Sequence, residues 1–297
     1  MNAAKKIAAP LSRKAVLVSV NISQWTARKI DKTATKDVNS KHDAADDAGR
    51  YNKLLIDTKH LAKLTSLVSQ ARTLHHTMTL PWADEGPRIL ANVLFVDFSN
   101  KFRVIKRDFE REAAVFTRNY STYVADRRKS LGGLFNSEDY PSEKQMREKF
   151  RMDLTVLPLP DAGDFRVDLD DEIVDQLRNE LKMTTANVEH IAIEATARQI
   201  ADVVGHMSAK LKEYGTPRTD GKRAFFLNSL VDNVRDLAKL LPAFNLTDDA
   251  ELSSITTRIV KELCVEDADT LRSNDEVRKT VQKSADQIIK AVGGLLG

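Results

Sequence analysis

The first pattern along the chain is an alternation. In residues 15–22 (AVLVSVNI), Val16, Val18, Val20 and Ile22 share one side of a period of two, which predicts a short half-buried strand. The period then lengthens. Ser23 is placed as the N-cap of a helix through Trp25, Ile30 and Val38, and residues 39–49, rich in Ser, His and Asp, read as a loop or frayed turn. Across residues 51–78, Leu54, Leu61, Leu64, Val68, Ala71, His75 and Met78 recur at threes and fours, interrupted at Asp57. This predicts a helix closed by Leu80-Pro81-Trp82.

The longest signal follows. A helix is expected from near Pro87, a good first helical residue. Ala91, Phe95, Phe98, Phe102, Ile105, Phe109, Ala113, Phe116, Tyr120 and Tyr123 then step by fours and threes, with no Gly or Pro before Gly132. About 42 residues at about 1.5 Å each make a rod of roughly 60 Å. So long an aromatic seam needs a partner helix along its length.

Beyond Gly132-Gly133, residues 136–141 predict a turn and residues 142–150 a short helix. Two extended pieces, 152–157 and 165–169, are joined by Pro158, Pro160 and Gly163 and predict a small hairpin that could receive the first strand as a third member. The remainder reads as helices. Ile173, Leu177 and Leu181 open one that continues through Ile193, Ala197, Ile200, Val204, Met207, Leu211 and Tyr214. Leu227, Leu230, Val234, Leu237 and Leu241 mark the next, stopped by Pro242, and Asp248 with Glu251 has capping-box spacing ahead of Leu252, Ile255, Ile259 and Leu263. Val277, Val281, Ile288 and Val292 carry the last.

The expected fold is therefore mainly α: long antiparallel helices of coiled-coil type with a small β-hairpin or sheet insert. The expected division is 1–150, a strand plus long-helix region; 151–170, a small β element; and 171–297, a helical region, all three intertwined as one unit.

Composition agrees: 42% hydrophobic and 30% charged residues describe a foldable chain, and only 11 glycines and 8 prolines interrupt it. The single cysteine, Cys264, allows no internal disulfide and lies on an apolar helical stripe. The opening MNAAKKIAAPLSRK lacks an apolar signal core, and no window reaches the ~20 apolar residues of a membrane span, so the expected location is the cytosol.

Charge changes the picture more. The net charge is only +3, but residues 1–36 hold eight Lys or Arg against one Asp, and residues 101–129 hold nine against four acidic residues. Residues 161–181 reverse the sign, with eight Asp or Glu against two Arg. Such blocks fit surfaces that meet between subunits ahead of a dedicated nucleic-acid face, which is more often basic overall. For the nucleic-acid reading the candidate contacts are Lys101, Arg103, Lys106, Arg107, Arg111, Arg127, Arg128 and Lys129. The aromatics between them sit at core spacing, which takes them out of reach of bases.

Candidate chemistry is sparse. The stretch GTPRTDGKR (215–223) approaches a Walker loop, but five residues separate Gly215 from Gly221, Arg223 stands where the magnesium-binding hydroxyl belongs, and a helix precedes it instead of a strand. A polar turn between helices is expected, with Gly215 as a C-cap. His75 reads as a core histidine, and His190 with Glu194 lacks the second cluster a helical metal site needs. The acidic run at 168–171 lacks the glycine and distal glutamate of a calcium loop and suits a helix start. With no nucleophile motif either, no catalytic residue, metal or cofactor is expected.

The blocks VSVNISQWTARKID, DAGRYNKLL, HTMTLPW, LGGLFNSEDYPS and LPLPDAGDFRV resemble, in order from about Val16 to about Val167, successive blocks of a family of bacteriophage and prophage proteins of unknown function. The resemblance brings no catalytic residues with it. It implies a setting beside MoxR-like AAA+ ATPases and von Willebrand A proteins, in which the ATPase is a separate chain. Together these readings give a non-enzymatic, self-associating scaffold or adaptor, with a DNA-binding accessory of phage recombination or replication as the alternative. The candidate partner contacts are Trp25, Trp82, Phe135 and Tyr140 with the basic Arg28, Lys29, Arg50 and Lys53; the competing role for Trp82 and Phe135 is to plug the ends of the helical core.

Overall fold

The alternation at the start forms the strand it predicts. In a computed structural model that describes residues 11–83, 85–160 and 171–296, the side chains of 171, 182 and 185 excepted, one helical turn, α1 (Leu11–Lys14), leads into β1 (Ala15–Ser23). There follow β2 (Arg28–Ile30), α2 (Lys32–Lys41), β3 (Asn52–Leu54), α3 (Ala62–Met78), β4 (Leu80–Pro81), β5 (Arg88–Ala91) and α4 (Phe95–Leu131). Next are α5 (Glu143–Glu148), β6 (Arg151–Pro158), α6 (Asp171–Glu213), α7 (Ser229–Phe244), α8 (Ala250–Arg258), α9 (Ala268–Ser273) and α10 (Asp275–Gly293). The described chain is mainly helical with a small antiparallel sheet. The sheet runs in the order β4-β5-β1-β6, and β1 pairs antiparallel with β5 from Ala15↔Ala91 to Val18↔Arg88. A second pair, β2 and β3, is antiparallel from Arg28↔Leu54 to Ile30↔Asn52.

Several expectations are corrected. No helix starts at Ser23: Ala27 takes a positive φ of 53°, β2 follows, and Asp31 is the N-cap that starts α2, its side chain accepting from the Ala34 amide at 3.0 Å. The helix expected over 51–78 begins only at Ala62, because residues 52–54 pair with β2 and Asp57 caps a 3-10 turn ahead of it. Pro87 opens β5 rather than a helix, since the backbone of 88–91 pairs with β1 and β4. Asp249, not Asp248, caps α8, and α7 runs two residues past Pro242. The partner strand expected at 165–169 and all but the last residue of the acidic run 168–171 lie outside the described residues.

The chain divides into two compact units interleaved in sequence. One comprises Ser19–Thr77 and Val96–Thr155. In it α3 runs antiparallel to α4, as Lys63 with Glu112 (2.5 Å) and the His60 ring on Tyr123 (3.9 Å) fix. Phe102, Phe109, Phe116 and Tyr120 of α4 are buried against Leu64, Leu67, Val68 and Ala71 of α3, with Leu55, Ile56, Met146 and Met152 filling the ends. The aromatic seam is thus covered within its own unit. His75 is a buried residue of this unit, 6.4 Å from Phe98.

The other unit takes its described residues from Met1–Val18, Met78–Phe95 and Val156–Gly297. Here α6 and α10 pair antiparallel: Ser208 donates to Asp286 at 2.5 Å, and the Arg278 guanidinium lies 4.7 Å over the Tyr214 ring. Their facing residues, among them Ile200, Val204, Met207, Ala285, Ile288 and Val292, join Val234 and Leu241 of α7 in one core. Cys264 is partly buried against that core, and burial raises its thiol pKa. No helix among the described residues is long and apolar enough to cross a membrane.

Candidate interaction surfaces

The loop after α4 and the turn before α2 converge on Lys53. This lysine is 4% exposed, and its ammonium lies 2.8 Å from Asp31 Oδ2 and 2.6 Å from Asp139 Oδ2, the latter an ion pair off hydrogen-bond alignment. It also donates to the Leu134 carbonyl at 2.8 Å. Lys29 reaches Asp139 from the surface side at 2.7 Å. Burial pushes the Asp139 carboxyl up, but the Lys29 and Lys53 ammoniums paired with it outweigh that and hold it below its ordinary value. Burial likewise pushes the Lys53 ammonium down, and Asp139 and Asp31 more than reverse the shift. Asp31 is lowered, first by the Lys53 hydrogen bond and then by the Ala34 amide. A buried charge with three partners is a structural tie. Lys53, expected as a partner contact, therefore has no free ammonium to offer.

The aromatic candidates are packed to different degrees. Trp25 meets Phe116 and Tyr120 edge-on at 6.3 and 5.8 Å, inside the unit. Tyr140 donates to the Leu55 carbonyl at 2.9 Å and stacks with Phe135 at 5.2 Å, while the Arg128 guanidinium covers the other ring 5.5 Å from its centroid. Trp82 is partly buried against the core to which α6, α7 and α10 contribute. Arg28 and Arg50 are exposed.

Along α4 the basic residues mostly hold acidic neighbours. Lys101 pairs with Asp97 (2.8 Å), Lys106 with Asp153 (2.8 Å), Arg107 and Arg111 with Asp108 (3.4 and 3.2 Å), and Lys129 with Asp126 (3.2 Å). Arg103 donates to Asn100 and Arg127 to the Leu54 carbonyl. The outer face of this helix carries a pattern that the sequence reading passed over. Val96, Asn100, Val104, Arg107, Arg111, Val115 and Arg118 step by four, four and three on the side away from the aromatic seam, with Val104 at its edge beside Leu74 and Thr77 of α3. Val96, Val104 and Val115 are 69, 48 and 40% exposed, high for β-branched residues on a 37-residue helix. The signal was present as a second periodic set, masked by the stronger aromatic one.

GTPRTDGKR folds as a tight hairpin. Pro217 bridges Arg223, the Gly215 amide donates to the Ala224 carbonyl at 2.9 Å, and the Gly221 amide donates to Arg218 at 3.1 Å. The Lys222 amide donates to its neighbour Asp220 at 3.1 Å. Both glycines take positive φ, 78° and 77°, which shapes the turn. Amides already committed inside the hairpin do not form a phosphate cradle. Beside it Phe225 is 58% exposed, with the Arg272 guanidinium 5.2 Å from its ring and Arg218 lining the same hollow, and Lys222 and Arg223 are exposed on the hairpin. Glu194, one turn from His190, is paired to Arg198, and no group of three or more His, Cys, Asp or Glu among the described residues could hold a metal. No protein-family model matches the chain, and neither a curated protein nor a solved structure matches it.

Proposed function

We propose that the chain is a non-enzymatic scaffold or adaptor that self-associates through the outer face of α4. The observation that carries this reading is the exposed stripe Val96, Val104 and Val115, interleaved with Arg107, Arg111 and Arg118. An apolar row on a helix whose other face is already packed marks an interaction site. Its four-four-three spacing repeats every eleven residues, which favours helix pairing that is nearly straight or right-handed rather than a left-handed heptad coil. Opposite charge blocks elsewhere in the chain supply complementarity between copies. The phage and prophage setting, and a separate MoxR-like AAA+ ATPase with a von Willebrand A protein as further partners, rest on the sequence blocks alone. Size-exclusion chromatography with light scattering tests the reading: Val104→Glu is expected to shift the wild-type assembly to monomer with an unchanged far-UV spectrum. An unaltered assembly in that variant counts against the α4 surface.

One observation favours a second reading, a DNA-binding accessory. Phe225 is an exposed ring next to a hairpin that carries three exposed cations, a combination suited to a single strand. Mobility shift of an oligonucleotide at low salt, lost at high salt and in Phe225→Ala, supports it. Absence of any shift at low salt ends it.

A further inference from the structure

A groove of about 910 Å³ runs along the first turns of α3. One wall is the stretch 22–28, from which Ile22, Gln24, Thr26 and Arg28 line the groove. The opposite wall is α3 with the turn before it, contributing Lys59, Thr65, Ser69 and Arg72. Leu61 and Val68 are apolar residues of the lining. Gln24 donates to Thr65 Oγ1 at 2.9 Å, so the two walls are fastened to each other and the groove is preformed.

Two features decide what such a groove accepts. Its charged lining is Arg28, Lys59 and Arg72, with no carboxylate among the lining residues. Lys59 pairs with Asp57 at 3.0 Å, whereas Arg28 and Arg72 enter no ion pair among the described residues. Residues 24–27 belong to no strand, and Ala27 at its positive φ turns the chain between Thr26 and Arg28. Hydroxyls beside guanidiniums free of ion pairs match a carboxylate-bearing peptide.

We propose that this groove receives the acidic segment 161–171 of a second copy of the chain. That segment carries Asp161, Asp164, Asp168, Asp170 and Asp171 against one Arg166, and Pro158 and Pro160 precede it. Proline at those places biases the approach to extended conformations. The proposal rests on the self-association reading above and adds a specific contact to it.

The test has two arms. In the first, a fluorescein-labelled peptide of residues 160–172 is titrated into the full-length chain whose own five aspartates between 161 and 171 are changed to Asn. Binding by anisotropy is expected, weakened at least about tenfold by raising NaCl from about 50 to 300 mM and to the same degree by Arg28→Glu with Arg72→Glu. Trp25 emission and circular dichroism establish that this variant is folded. No binding of the peptide, or equal binding by the charge-reversed protein, overturns the groove as its site. In the second arm, equal amounts of ¹⁵N-labelled and unlabelled wild-type chain are mixed and treated with a carbodiimide, which joins the Lys59 ammonium to a carboxylate as an amide with loss of water. Crosslinks from Lys59 to 161–171 that pair the two isotopes support the second copy. Crosslinks only within one isotope overturn it. A chain that assembles through α4 but gives no such crosslink retains the scaffold reading and loses this contact, whereas a monomer that binds the peptide loses the scaffold reading and the second copy together.

Discussion

Replacing Lys53 by alanine strips three partners at once. Asp139, whose side chain is 6% exposed, and Asp31, at 15%, lose their shared cation, and the Leu134 carbonyl loses its donor. Breaking a buried ion pair from one side costs about 3–5 kcal/mol, and an orphaned carbonyl about 1–3 kcal/mol. Two contacts survive: Lys29 remains 2.7 Å from Asp139, and the Ala34 amide still donates to Asp31. Allowing for these and for water entering the space, a net loss of about 2–4 kcal/mol is expected. The readout is urea unfolding followed by Trp25 emission in a Trp82→Phe background, so that the reporter lies in the unit under test. With a slope of about 2 kcal/mol/M, the midpoint falls by about 1–2 M. Lys29→Ala, which removes a cation 51% exposed, should cost under about 1 kcal/mol. A Lys53→Ala midpoint no lower than that of Lys29→Ala refutes the tie and returns Lys53 to the set of free surface contacts. The sign with pH follows from the same groups. Asp31 and Asp139 are held below their ordinary values, so the stability they contribute is present above about pH 4 and is lost as pH falls through their folded values. Asp139→Asn should flatten that acid limb.

Other outcomes follow from the same packing. Phe109→Ala, at a fully buried ring of the seam, should lower the stability of its unit by about 3–5 kcal/mol in the same urea assay. Tyr120, raised by burial to about 12, donates to the Pro141 carbonyl at 2.9 Å; its stabilisation is complete below the ordinary tyrosine value and is lost as pH rises through 12. Absorbance titration near 295 nm should show late tyrosine ionisation, to which Tyr140 also contributes because burial raises it, and Tyr120→Phe should remove the Tyr120 part. Lys222→Ala should leave fold and assembly intact, and ATP hydrolysis should stay at background in both proteins; hydrolysis in the wild type that the substitution abolishes would restore the Walker reading.

The long helices were legible because their apolar steps sustain one face over many turns: Phe98 to Tyr120 in α4 and Ile193 to Leu211 in α6 need no tertiary knowledge. What misled was local chemistry overruled by pairing. Pro87 is a good helix opener, yet residues 88–91 became a strand because Ala15–Val18 offered a ladder. Trp25, Ile30 and Val38 mimicked a stripe, though Ile30 and Val38 are exposed and only Trp25 packs inward. The Lys53 tie was invisible for another reason. Asp31, Lys53 and Asp139 are brought together from a turn, the strand β3 and the loop after α4, and no periodicity links them. Among the surface candidates, residue type alone could not separate Lys53, which is buried, from Arg28, which is not.

The central claim is that the outer face of α4 joins copies of the chain, and sedimentation velocity from about 1 to 100 µM tests it most directly. The account predicts a wild-type sedimentation coefficient that rises with concentration, and a folded Val96→Glu, Val104→Glu, Val115→Glu variant that stays monomeric throughout. A wild-type chain that sediments as a monomer at every concentration would contradict it.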